Sequence, residues 1–292
     1  MPDVQVQHWR FERLSDARAR LGESPLWSAR ENAVWWVDVT GRKLLRSDAD
    51  SGRTRVWRTP EEIGFVVATA SGLAVGMESG LFLFDAAGGG FSLIVPLDGR
   101  NERFNDAATD AAGRLWAATC DIDNKAPLGR LLRIDPDLTV NEIASGLMTP
   151  NGLAVDSDSG RLYLSDSHPQ VRCLWWLPFD PGSGSAGGRQ LLANFREIEG
   201  RPDGGTLDAE GTYWIAGVDG AVLHGFSPGG ERRAEVTTPM ASPTKFAFGG
   251  KSLEVAFLTS KTVADDDAGG FLYKAVPGPR GRRESRFGYR SA

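Results

Sequence analysis

Short apolar runs broken by turn residues alternate along the whole chain. No long window shows the i, i+3, i+4, i+7 apolar spacing of an amphipathic helix. The runs come in pairs. The first of each pair carries an aromatic or equivalent anchor, at Trp36, Ala74, Trp116, Tyr163, Trp214 and Phe257. The second begins at Lys43, Gly80, Gly129, Cys173, Ala221 and Gly270. Successive anchors lie 38, 42, 47, 51 and 43 residues apart. A four-stranded propeller blade needs about 40 to 50 residues, so the pattern predicts an all-β, six-bladed β-propeller with four-stranded antiparallel blades. Residues 1–292 then form one domain. Within 1–20, the strand-like segment Val4 to Leu14 is expected to close the ring beside the last blade. The stretch 276–292, with its basic Arg280-Gly281-Arg282-Arg283, is expected to be a final outer strand or a solvated tail.

Composition narrows the function. Glycine supplies 36 of 292 residues, roughly 12% against a usual share of about 7%. With 41% hydrophobic residues and nine Trp, such a chain is turn-rich rather than disordered. Lys and Arg number 33 against 38 Asp and Glu, a net charge of −5. That balance provides no basic stripe for nucleic acid. No apolar run approaches the roughly 20 residues needed to cross a bilayer. The first residues lack the charged and apolar regions of a leader, so a cytoplasmic protein is expected. Cys120 and Cys173 have neither disulfide nor metal spacing and read as reduced thiols in or near the core. The expected partner is a small molecule, and the expected state a monomer or small homo-oligomer.

In a propeller, the residues that begin each innermost strand gather at one mouth of the central channel. Stepping back 11 to 13 residues from each anchor reaches Glu23, Ile63, Asn105, Asn151, Asp203 and Lys245. Pro150-Asn151-Gly152 and Pro202-Asp203-Gly204 are ordinary turn sequences when taken singly. Their shared offset makes them a site. Buried convergent polar groups need a partner. Glu23, Asn151 and Asp203 offer oxygen ligands and no thiolate, which suits one divalent cation: Ca²⁺, Mg²⁺, Mn²⁺ or Zn²⁺. Arg103 stands two residues before Asn105, and a guanidinium beside an amide can bind vicinal hydroxyls. Asp121 and Asp123 follow on the next loop, where Asp123 could reach a substrate hydroxyl. His168 reads as a loop histidine, and His8 and His224 as structural.

These residues resemble the senescence marker protein/gluconolactonase/luciferin-regenerating family, over about Leu21 to Phe287. The resemblance rests on Leu21-Gly22-Glu23-Ser24-Pro25-Leu26-Trp27, Arg103-Phe104-Asn105-Asp106, Pro150-Asn151-Gly152-Leu153-Ala154, Arg201-Pro202-Asp203-Gly204 and Pro243-Thr244-Lys245-Phe246. It implies a catalytic divalent metal on Glu23, Asn151 and Asp203, with Asp203 also the acid/base. It further implies substrate contacts from Arg103, Asn105 and Asp123. The implied reaction is hydrolysis of a sugar lactone to the aldonic acid. Lys245 departs from the family pattern, and its ammonium in the channel is expected to favour a lactone bearing a carboxylate. Two rivals stand beside this reading: a hydrolase of other esters or phosphotriesters on the same metal, and a non-catalytic calcium-binding propeller.

Overall fold

The computed structural model describes residues 4–99 and 101–290. Six sheets follow one another around a ring, and each runs outward from the central channel. The innermost strands are Gly22–Ser28, Ile63–Ala68, Glu102–Thr109, Pro150–Asp156, Arg201–Leu207 and Pro243–Gly249, for blades 1 to 6. Each pairs antiparallel with the strand that follows it in sequence. The anchors lie on those second strands, and Trp36, Ala74, Trp116, Tyr163, Trp214 and Phe257 are all buried.

The core is divided among the joints between blades. Six apolar clusters each draw on two adjacent blades. One of them joins Val34, Trp36 and Leu45 of blade 1 to Phe257 and Leu272 of blade 6, so the ring closes through side-chain packing. Aspartates organise the turns beneath the anchors. Asp208 accepts the backbone N–H groups of Glu210 and Thr212 and the indole N–H of Trp214. Asp110 does the same for Ala112, Arg114 and Trp116. In both turns a glycine, Gly113 or Gly211, takes a positive φ that other residues adopt at a cost.

The N-terminal segment divides between two blades. Phe11–Arg13 pairs with Tyr273–Ala275 and supplies the outermost strand of blade 6, while Gln5–Gln7 runs parallel to Arg232–Thr237 as a fifth strand of blade 5. Because that outer position is taken, the described part of the C-terminal stretch, 276–290, is not an outer strand, and with Gly281 and Phe287 buried it is not a solvated tail either. It crosses the far end of the channel as a strap. Arg282 N–H donates to Leu207 of blade 5, Phe287 N–H to Ala68 of blade 2, and Gly288 N–H to Gly113 of blade 3. Phe287 is fully buried in the cluster between blades 2 and 3, and Arg282 pairs with Asp156 of blade 4. Gly281 passes where a Cβ would sit 2.0 Å from Phe248 Cβ, so this crossing requires glycine. No helix among the described residues is long and apolar enough to cross a membrane.

Candidate active site

Every innermost strand carries one irregularity, and all six fall at the channel mouth. The register shifts lie between Glu23 and Leu26, Ile63 and Phe65, Phe104 and Asp106, Asn151 and Ala154, Pro202 and Gly205, and Pro243 and Phe246. Each inserts an extra residue on the inner strand, which is a β-bulge, and a bulge re-aims side chains out of the pleat. The residues at these bulges are those found by stepping back from the anchors.

The bulges of blades 4 and 5 meet tightly. Gly152 has a φ of +65°, and a Cβ there would lie 2.6 Å from Ser165 Oγ and 3.0 Å from Asp203 O. Its carbonyl accepts the Tyr213 hydroxyl at 2.7 Å. Ser165 Oγ donates to the carbonyls of Pro202 and Asp203 at 3.0 and 3.2 Å. Asn151 Nδ2 donates to Ser167 Oγ at 3.3 Å, which leaves its Oδ1 free. On blade 1, Ser24 with φ +49° bonds both N–H and C=O of Val66, tying that bulge to blade 2.

Electrostatics links Glu23 with Asp203. Burial first, then the Asp203 and Asp106 charges, push Glu23 well above the usual carboxylate range. Burial likewise raises Asp203 to about 7, with Asp106 adding to the shift and Arg201 opposing it. The Glu23 carboxylate accepts one bond, from Ser24 N–H at 3.3 Å. Two carboxylates that disfavour their own charge, beside an uncommitted amide oxygen, form a donor set that a divalent cation satisfies. The residues present therefore fit the metal. Among the described residues no trio of His, Cys, Asp or Glu could hold one, so the set of Glu23, Asn151 and Asp203 depends on its amide.

The substrate candidates separate. Arg103 Nη1 donates to Asn105 Oδ1 at 2.9 Å and to Phe104 O at 3.0 Å, and its Nε lies 3.3 Å from Glu62 Oε2. Asn105 Nδ2 donates to Pro150 O at 3.0 Å, so this pair bridges blades 3 and 4. Asp123 is exposed on the loop after the second strand of blade 3 and makes no side-chain bond to a described residue. No hydrogen bond or ion pair links it to Arg103 or Asn105. Asp121 has a structural task. Its carboxylate accepts Asn101 Nδ2 and the N–H groups of Lys125 and Ala126, which fixes that loop. Asp38 and Asp166 do the same at equivalent positions. Asp38 accepts the N–H groups of Arg20, Leu21 and Gly41, and Asp166 those of Met148, Thr149 and His168. These acids hold the segments that lead into Glu23 and Asn151.

Lys245 does not project toward a substrate. Its Nζ lies 2.6 Å from Asp106 Oδ1 and both side chains are buried, so the ammonium is committed. Burial opposes its charge, but Asp106 prevails and the pKa is raised. The expectation that it selects a carboxylate-bearing lactone has no geometric basis, because the cation already has its anion. Sequence reasoning missed the role of Asp106. Asp106 directly follows Asn105 in Arg103-Phe104-Asn105-Asp106, and that adjacency was the only signal the sequence offered for it. Tyr213, Ser165 and Ser167 were missed too, since nothing in their spacing marks what they support. His224 is buried with Nε2 2.9 Å from Glu199 O.

The family model described as SMP-30/Gluconolactonase/LRE-like region matches residues 21–262. The chain belongs to this SMP-30/gluconolactonase family. Like other members, it has named relatives. It is 38% identical over 244 residues to the 6-deoxy-6-sulfogluconolactonase of Pseudomonas putida, covering 82% of this chain and 83% of that one. It is 28% identical to a pentonolactonase of Haloferax volcanii, over 94% and 97% of the two chains. Among solved structures, regucalcin from Agrobacterium tumefaciens, described as a calcium-binding protein, superposes with a TM-score of 0.91 at 24% identity. That match covers 97% of this chain and 99% of the other. The structural likeness establishes that this member shares the family fold.

Proposed function

We propose that this protein hydrolyses a sugar lactone to the aldonic acid, using one divalent cation held by Glu23, Asn151 and Asp203. The observation that carries the reading is the gathering of half-buried Glu23, buried Asp203 and the free amide oxygen of Asn151 on matching bulges of blades 1, 5 and 4. Membership of a family with lactonase-named relatives supports the reaction class. A bound divalent cation would supply Lewis-acid polarisation of the lactone carbonyl and a more acidic water.

The chain's own residues supply the rest. Asp203 takes a proton from the attacking water as the water oxygen bonds to the carbonyl carbon. As the ring C–O bond breaks, Asp203 returns that proton to the departing ring oxygen. Arg103, held by Asn105 and Glu62, presents its remaining N–H donors to the polyol, which fixes the carbonyl for attack. Asn105 shares that contact.

The test is a pH-indicator assay that compares kcat/KM on five- and six-membered aldonolactones with aryl esters and phosphotriesters. The reading requires the lactones to be preferred by at least tenfold. Preference for phosphotriesters, or no turnover with any added metal, overturns it.

A further inference from the structure

We infer that Lys245 is a tethered cation that neutralises Asp106 and so limits this channel to one divalent ion. The inference rests on the metal reading above. Three innermost-strand carboxylates act on one another electrostatically: Glu23 from blade 1, Asp106 from blade 3 and Asp203 from blade 5. A divalent ion held by Glu23 and Asp203 balances two of these charges. Asp106 remains, only 3% exposed. A buried carboxylate without a counter-charge is strongly destabilising.

Asp106 is fully provided for by the protein. Its Oδ1 accepts Ala107 N–H at 2.9 Å and Lys245 Nζ at 2.6 Å, and its Oδ2 accepts Leu153 N–H at 2.8 Å. Lys245 is the charged donor of the three. It arrives from the bulge of blade 6, and its stem passes against Gly204, where a Cβ would sit 2.4 Å from Lys245 Cβ. Glycine beside Asp203 is therefore what lets the lysine enter. The backbone that aims it is fixed on both sides, since Thr259 Oγ1 donates to Lys245 O at 2.9 Å and Thr244 Oγ1 to Gly22 O at 2.6 Å.

The ammonium stem lies on the strap side of the site. Lys245 lines a cavity of about 160 Å³ with Ser24, Leu153, Gly205 and the strap residue Glu284, and none of Glu23, Asn151 or Asp203 lines it. Lys245 thus starts from a bulge at the mouth and borders the strap-side cavity, while its ammonium is held by Asp106. An ammonium on a covalent stem neutralises Asp106 without any free ion, and chelators cannot remove it. Its loss leaves an acidic position, close to Glu23 and Asp203, that a second divalent ion can neutralise.

The experiment is a Mn²⁺ titration of the full chain, with free Mn²⁺ counted from its EPR signal. Wild type is expected to bind one ion and Lys245→Met two. The double variant Lys245→Met/Asp106→Asn, which removes both charges, is expected to return to one. Lys245→Gln keeps a donor for Asp106 while losing the charge; it is also expected to bind two and serves if the Met variant does not fold. The inference is read from the difference between variant and wild type: equal counts overturn it. The metal reading is judged separately, from the wild-type count, and a wild-type value of zero overturns that reading.

Discussion

Asp203 should weaken the metal-free protein in proportion to its ionisation. Its pKa stands at about 7 in the folded chain against 3.8 unperturbed. At intermediate pH the folded state therefore binds more protons than the unfolded state, and stability falls as pH rises from about 4 through about 7. Between pH 5 and pH 8.5 the folded carboxyl loses its proton over about two pH units, worth roughly 2 to 3 kcal/mol at 1.36 kcal/mol per unit. Asp203→Asn keeps the shape and removes the charge. In urea with EDTA, the variant should gain that amount over wild type on going from pH 5 to pH 8.5. The order should reverse when metal is added. An ion at 100 times its Kd stabilises by about 2.7 kcal/mol, and Asp203→Asn should lose most of that benefit. A variant whose stability relative to wild type is the same at both pH values would refute the placement of Asp203 in a desolvated, like-charged site.

Further expectations follow from named contacts. Asn151→Ala should lower metal affinity by at least tenfold in calorimetry with little change in Tm, because its amide bonds only Ser167 Oγ. Arg103→Ala should raise KM for lactones more than it lowers kcat, and Asp123→Ala should change neither parameter by more than about twofold, both read by steady-state kinetics. Phe287→Ala removes a fully buried ring from the joint between blades 2 and 3 and should cost about 3 to 5 kcal/mol in chemical denaturation. Gly152→Ala should abolish activity and lower Tm, since the new methyl meets Ser165 Oγ and the Tyr213 hydroxyl at positive φ.

The blades were legible because burial imposes a period. Trp36, Trp116, Tyr163 and Trp214 recur where each second strand packs into a joint between blades, and turn glycines such as Gly113 and Gly211 punctuate them. That same period located Glu23, Asn151 and Asp203, because each sits at the bulge of an equivalent strand. Where the chain leaves the repeat, pattern reading lost its footing. The strap alternates exposed arginines with Gly281 and Phe287, and only the ring's geometry reveals that both are buried. Lys245 looked like a channel charge awaiting a substrate. Its anion comes from a strand 139 residues away in sequence, a pairing that no local pattern encodes. Asp121 gave the opposite lesson, since its kinship with Asp38 and Asp166 lies in the hydrogen bonds it accepts.

The central claim, a lactonase whose metal is held by Glu23, Asn151 and Asp203, is tested most directly by one assay. Purified protein is stripped with chelator, reconstituted with Ca²⁺, Mn²⁺, Mg²⁺ or Zn²⁺, and followed with a pH indicator on an aldonolactone beside Asp203→Ala. The account predicts turnover no faster than the spontaneous rate after stripping, recovery with at least one metal, and no recovery in the variant. Full activity in the stripped protein, or in Asp203→Ala, would contradict it.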